Sequence, residues 1–247
     1  MPGERTVFLD FDDTLSDPFQ FHVQYVREVG ALLAPRYGGA EERWATTADD
    51  LLASVEMEYA ERFAGNPLNG YCAWLETVRE RSAVTMFEWM GIQAPEDPAR
   101  VAREAQFEAL RRCNAAFPGA VDALEGLRAA DFRIHVASGQ ESEYLAAALM
   151  GADLARFVGM KFGPDLVDCA KEGPEYYERI FAAAGVKAAD AVVVDDHPPA
   201  IDWALLAGAS VIQSKLSRKR HYETAAGVAG VMTDMRELPG LVSVVRF

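Results

Sequence analysis

Apolar residues change their spacing once along this chain, close to residue 117. Val7, Phe8 and Leu9 form a short, continuously apolar run that reads as a buried strand. From residue 17 to residue 116 every later signal is helical. Asp17-Pro18 pairs an N-cap residue with proline at the first helical position. Phe19, Val23, Val26 and Gly30 follow at helical spacing, and Phe21, Tyr25, Val29, Leu32 and Leu33 widen the stripe, which residues 35–39 should break. A second helix is expected over 49–63, with Leu51, Leu52, Val55 and Tyr59 on one side. Tyr71, Trp74, Leu75 and Val78 predict a third helix, and Met86, Phe87 and Met90 a fourth that ends at Gly91. Asp97-Pro98 repeats the capping signature before residues 101–113.

After Phe117-Pro118-Gly119, strands and helices alternate. Helices are predicted over 121–130, 142–150, 175–184 and 199–207, and strands over 133–138, 191–195 and 210–212, with one more possible at 241–245. This alternation implies right-handed βαβ units on a parallel sheet, to which residues 7–9 belong. The expected fold is therefore α/β: a Rossmann-like parallel-sheet core from residues 1–16 and 117–247, with residues 17–116 inserted as an all-helical domain.

Composition narrows the chemistry. The chain has 247 residues, half of them hydrophobic, and a net charge of -14. Such a charge argues against nucleic acid or an anionic membrane as partner, and a phosphate ligand would need local positive charge. Lysines are few, at 161, 171, 187, 215 and 219. Cys72, Cys113 and Cys169 lack CxxC spacing and read as reduced thiols of a cytoplasmic protein. No apolar stretch approaches membrane-spanning length.

Acids cluster where strands end. Asp10 and Asp12 follow the first strand and can point toward one spot at its carboxyl end, where open α/β sheets bind ligands. Asp195-Asp196 ends the strand at 191–195. Carboxylates so gathered repel one another and call for a cation or a shared proton.

Asp10-Phe11-Asp12-Asp13-Thr14 resembles the first motif, DxDx(T/V), of the haloacid dehalogenase (HAD) superfamily. Ser138-Gly139 after a strand resembles the second motif, Lys171 ahead of Pro174 the third, and Asp195-Asp196, with Gly208 closing the next helix, the fourth. Lys161 competes for the third motif but lies too far from Asp196. The resemblance implies a nucleophile at Asp10 and a general acid/base at Asp12. It implies phosphoryl binding by Ser138, Gly139 and Lys171, and a magnesium ion held by Asp10, Asp12, Asp195 and Asp196. Thr14 would fix the loop. Dehalogenases of the superfamily lack an acid at the position of Asp12, so the resemblance favours phosphoester hydrolysis of a small phosphorylated metabolite. A phosphosugar mutase would use the same motifs, and a non-catalytic binding protein could keep the fold. The insertion resembles a C1 cap, which closes over the site on hinges expected near Ser16 and Ala116. Residues 17–116 contain no lysine, which argues against Schiff-base phosphonatase chemistry. Aromatics such as Tyr59, Tyr71 and Trp74 read as core, arginines such as Arg62, Arg79, Arg81 and Arg103 as a solvated face. His197 reads as a turn residue, and the basic run Lys215, Arg218, Lys219 and Arg220 as a solvated loop.

Overall fold

The computed structural model describes residues 5–217 and 219–245. A six-stranded, wholly parallel sheet forms its centre, ordered β3-β2-β1-β4-β5-β6. The strands are β1 (Thr6–Leu9), β2 (Arg133–Ala137), β3 (Lys161–Phe162), β4 (Ala191–Asp195), β5 (Ser210–Ser214) and β6 (Gly230–Met232). Between β1 and β2 lie five helices: α1 (Pro18–Tyr37), α2 (Glu41–Phe63), α3 (Tyr71–Met90), α4 (Pro98–Arg112) and α5 (Ala120–Ala129). Five more follow: α6 (Ser142–Gly151), α7 (Pro164–Val167), α8 (Pro174–Ala184), α9 (Pro198–Leu206) and α10 (Leu238–Val244). None among the described residues is long and apolar enough to cross a membrane.

Period-two alternation gives each strand two apolar faces. Val7 and Leu9 of β1 join Val136, Val194 and Ile212 in one cluster, which α5, α6 and α10 complete. Phe8 points the other way, into a cluster with Val193, Val211, Ile180 and Phe181. Register then sets the site. Leu9 pairs with Val136 on one side and Val194 on the other. The residues that follow, Asp10, Ala137 and Asp195, therefore reach the carboxyl edge together. Between β1 and its two neighbours the chain order reverses, the place where doubly wound sheets open a crevice.

Helices α1 to α4 leave and re-enter the sheet side by side. Asp17 N donates to Ala115 O and Phe117 N to Leu15 O, both at 2.9 Å. The Asp17 carboxylate caps α1 through the Phe19 and Gln20 amides, and Asp97 caps α4 through the Arg100 amide. The helical block is also fastened by packing, since Val29, Leu110 and Cys113 share one apolar cluster with Leu145 and Leu149 of α6. Where α6 ends on α4, a Cβ on Gly151 would lie 2.3 Å from Cys113 O.

Several predicted boundaries are corrected. Residues 241–245 are not a strand: Leu238 and Val242 are buried four apart, a helical spacing that a short apolar run disguises. The third and fourth predicted helices are one, α3, because residues 79–85, though mostly polar, hold no glycine or proline to stop it. Helix α1 runs through Pro35, with Leu32 and Leu33 buried in its last turns. Helix α2 begins at Glu41 rather than near 49, anchored by the buried Trp44. Strands β3 and β6 are too short to carry a periodic signal.

Gly151→Ala should destabilise the protein by about 1–3 kcal/mol, since the backbone around Cys113 must retreat. Urea denaturation measures this, and an unchanged midpoint would show that α4 and α6 are not in this close contact.

Candidate active site

The carboxyl edge of the sheet gathers three buried acids on one buried lysine. Asp10 is fixed by its own amide, which donates to Val194 O at 2.9 Å. Lys171, on the loop before α8, sends Nζ to Asp10 Oδ1 at 2.7 Å, to Asp195 Oδ2 at 2.8 Å and to Ala137 O at 3.3 Å. The ammonium thus ties β1, β2 and β4 together at one atom. Lys161 does not compete, for its Nζ turns to Gly159 O. Tyr177 OH donates to Asp195 Oδ2 at 3.1 Å and the His197 amide to Asp195 Oδ1 at 3.0 Å. Both Asp195 carboxylate oxygens therefore accept from protein donors, Oδ1 from one only. Asp196 is buried, yet its Oδ2 has no hydrogen-bond partner.

Asp10, Asp195 and Asp196 each offer a carboxylate oxygen within 4.8 Å of the others. Burial raises Asp10 well above the ordinary carboxylate range, and Asp195, Asp196 and Asp12 add repulsion against the pull of Lys171. Burial, with Asp195 and Asp13 adding to it, raises Asp196 to about 7. For Lys171 burial pulls downward, but Asp10 and Asp195 prevail and hold it well above the ordinary lysine value. One ammonium cannot neutralise this set. A hard divalent cation fits it: all donors are oxygens, and the orphaned Asp196 Oδ2 is an unused ligand atom.

Asp12 departs from the metal set that sequence reasoning assigned. Its carboxylate is not in the triplet; Gln140 Nε2 donates to its Oδ2 at 3.3 Å. In the turn that follows, Asp13 adopts a left-handed φ of 56° and the amides of Leu15 and Ser16 fold back on Phe11 O. Loss of solvent raises the Asp12 carboxyl above its usual value, with Gln140 opposing. Ser138 is buried, and its hydroxyl accepts from the Gln140 amide at 3.2 Å. Gly139 and Gln140 line the cavity. Thr14 is buried, with a hydroxyl that finds no partner.

A cavity of about 510 Å³ opens above these groups. Asp10, Asp12, Lys171 and Asp196 form its floor, and Phe21, Tyr25, Leu52, Tyr59, Tyr71 and Trp74 its walls. Tyr71 and Trp74 pack with Phe63 in an aromatic cluster, so they serve as core and wall at once. Arg79 pairs with Glu141, Arg103 with Glu143 at 2.7 Å, Arg81 with Glu58 at 2.5 Å, and Arg62 donates to Asn69 O at 2.9 Å. None of these four arginines lines the cavity. His197 does line it, with its ring against Tyr222.

Lys219 and Arg220 of the basic run are exposed, as in a solvated loop, yet the run also reaches the cavity. Arg220 lines the cavity and approaches Asp13 Oδ2 at 3.4 Å, and Lys219 Nζ stands 4.0 Å from the Phe19 ring centroid. Arg218 lies outside the described residues. Sequence reasoning also missed Gln140, Tyr176 and Tyr177. Tyr176 OH donates to Ser138 O and Phe162 O, at 2.9 and 2.8 Å, and so supports the loop after β2. The only signal for the two tyrosines was their place in α8, one turn after Lys171.

Without a divalent ion, stability should fall as pH rises from 5 to 8. The folded Asp196 keeps a proton up to about 7, whereas the unfolded chain releases it near about 4. Magnesium should raise the Tm more at pH 8 than at pH 5. Asp196→Asn should raise the ion-free Tm at pH 8 and remove most of the magnesium effect. A variant that magnesium stabilises like the parent protein would refute this cation site.

Solved structures of this fold include the magnesium-bound YfnB of Bacillus subtilis, 17% identical, with a TM-score of 0.64 over 98% of this chain and all of that one. They also include the L-2-haloacid dehalogenase of Xanthobacter autotrophicus, 19% identical, with a TM-score of 0.63 over 98% and 100% of the two chains. The 2-haloacid dehalogenase of Pseudomonas syringae pv. Tomato is 21% identical, with a TM-score of 0.65 over 97% and 98%. Among curated proteins no relative matches the chain. Residues 4–208 match the haloacid dehalogenase-like hydrolase family, and the chain belongs to that family of hydrolases.

Proposed function

We propose that this hydrolase is a magnesium-dependent phosphatase that cleaves a small phosphorylated metabolite through an aspartyl phosphate on Asp10. The observation that carries the reading is Asp12, a second carboxyl beside the nucleophile, raised by loss of solvent and steadied by Gln140. A halide leaves without a proton, whereas an alkoxide leaving from phosphorus needs an acid beside it. Likeness in fold to haloacid dehalogenases supports the rival reading, hydrolytic dehalogenation. A haloacid, however, carries a carboxylate, and no arginine or lysine of residues 17–116 lines the cavity to receive one.

The residues act in two steps. An Asp10 carboxylate oxygen attacks phosphorus while the ester oxygen departs and takes the Asp12 proton. The Asp12 carboxylate then removes a proton from the water that attacks the phosphorus, releasing phosphate and restoring both acids. Lys171 offsets charge on the phosphoryl oxygens, and Gly139 and Gln140 line the same space. Asp10, Asp195 and Asp196 would hold magnesium, which supplies further charge neutralisation there.

We place the helical block of residues 17–116 as a cap over the core of residues 1–16 and 117–247. Its two passages into the core meet where Ser16 pairs with Ala116, and small rotations there would open the cavity. YfnB, described as undergoing interdomain movement, supports this reading. Free thiols at Cys72, Cys113 and Cys169 fit a reducing compartment such as the cytoplasm.

Asp10→Asn should abolish phosphate release with the fold retained. Asp12→Asn should slow hydrolysis of alkyl phosphates by about 10²–10⁴-fold; acetyl phosphate, whose leaving group needs little protonation, should still phosphorylate Asp10 in that variant, although release of phosphate from it is slowed too. The assay is phosphate release with magnesium, run beside halide release from 2-chloropropionate. Halide release without phosphatase activity would establish the dehalogenase instead, and phosphoryl return to a sugar without free phosphate would establish a mutase.

A further inference from the structure

The helices before residue 117 leave an apolar space between them. In α2 the buried residues are Trp44, Thr47, Ala48 and Phe63, all near its two ends, while Leu51, Leu52 and Val55 in the middle are only half-buried. An apolar stripe between packed helices normally meets another stripe. Here it faces a second cavity of about 610 Å³, bounded by α1, α2, α3 and α4. Tyr25, Leu52, Val55, Leu75, Val78 and Gln106 line this space and the active-site cavity alike. The two therefore adjoin, one reaching Asp10 and Asp12 and the other Ala99 and Ala102 of α4.

The arginines at its border are already matched. Arg79 pairs with Glu141, Arg103 with Glu143, and Arg100 with Glu104. Among the described residues that line the second cavity, every arginine is held by a carboxylate, which leaves no cation for a second anionic group on a ligand. Apolar walls of this kind hydrate poorly and gain most from an apolar occupant.

Resting on the phosphatase reading, we propose that the substrate is the phosphate monoester of an alcohol with an extended apolar tail. The phosphoryl group sits at Asp10, and the tail runs between α1, α2, α3 and α4. Sugar phosphates and phosphorylated acids, polar or anionic beyond the ester oxygen, fit this space poorly.

The test is kcat/KM, with magnesium, for methyl, butyl, hexyl and octyl phosphate beside glucose 6-phosphate and 3-phosphoglycerate. The value should rise with each methylene, by up to about fourfold, and by at least about a hundredfold from methyl to octyl. Ala102→Trp, at the far end of the space, should lower the octyl-to-butyl ratio about tenfold, and Ser82→Trp on α3 gives an independent blockage should the first variant not fold. Hydrolysis of methyl phosphate with a flat or falling series would overturn the tail assignment and leave the phosphatase standing. A folded blocking variant with an unchanged ratio would overturn it as well. If no phosphoester is hydrolysed, acetyl phosphate included, the phosphatase reading itself fails and the tail assignment falls with it.

Discussion

The ammonium of Lys171 is the contact on which this architecture turns. It reaches two carboxylates from two strands and the carbonyl of a third. Its side chain is 8% exposed, and those of Asp10 and Asp195 are 7% and 1%. Buried charges persist only when paired, and removing one partner of such a pair costs about 3–5 kcal/mol. The lysine accounts for one positive charge against three acids of the cluster, and Asp196 is left with an idle oxygen. That imbalance explains why the site demands a cation. On the proposed phosphatase reading, a protein of net charge -14 would draw a phosphoryl group by local attraction, through Lys171, Arg220 and the cation.

The sheet makes this contact possible. Parallel register brings Asp10 and Asp195 to one level on adjacent strands, and the loop before α8 drops the lysine between them. Tyr176 and Tyr177 then brace both sides, one on the loop after β2 and one on Asp195. The helices inserted after β1 begin within a few residues of Asp10, so whatever they enclose is set directly above the nucleophile. The aromatic and aliphatic walls they supply sit over a floor that is entirely polar. On the proposed reading labour is divided: the floor would perform the chemistry, and the walls would choose what is attached to the phosphate.

Much of this was legible in the chain. Asp10, Asp195 and Asp196 stood out because each acid pair follows a continuous apolar run, and strand ends are where such sheets bind ligands; Lys171 stood out only through its resemblance to the family's third motif. The switch of periodicity near Phe117 marked the inserted helices. What escaped was set by tertiary context. Asp12 pairs with Gln140 just ahead of the left-handed turn at Asp13, and no spacing rule foretells that. Arg220 belongs to a run that looks solvated until the β5 loop folds back over Phe19. The apolar stripe of α2 reads the same whether it meets another helix or an open cavity. Short elements failed for a different reason: β3, β6 and α10 hold too few residues to show a period.

The claim that Asp10 is the nucleophile of phosphoryl transfer can be tested without any substitution. The protein is mixed with excess phosphoester and magnesium, quenched in acid within the first turnovers, digested and weighed by mass spectrometry. The account predicts one added phosphoryl mass on the peptide that carries Asp10, present with ester and magnesium and absent when either is withheld. Steady release of phosphate with that peptide unmodified, or a phosphoryl group on another residue, would contradict it.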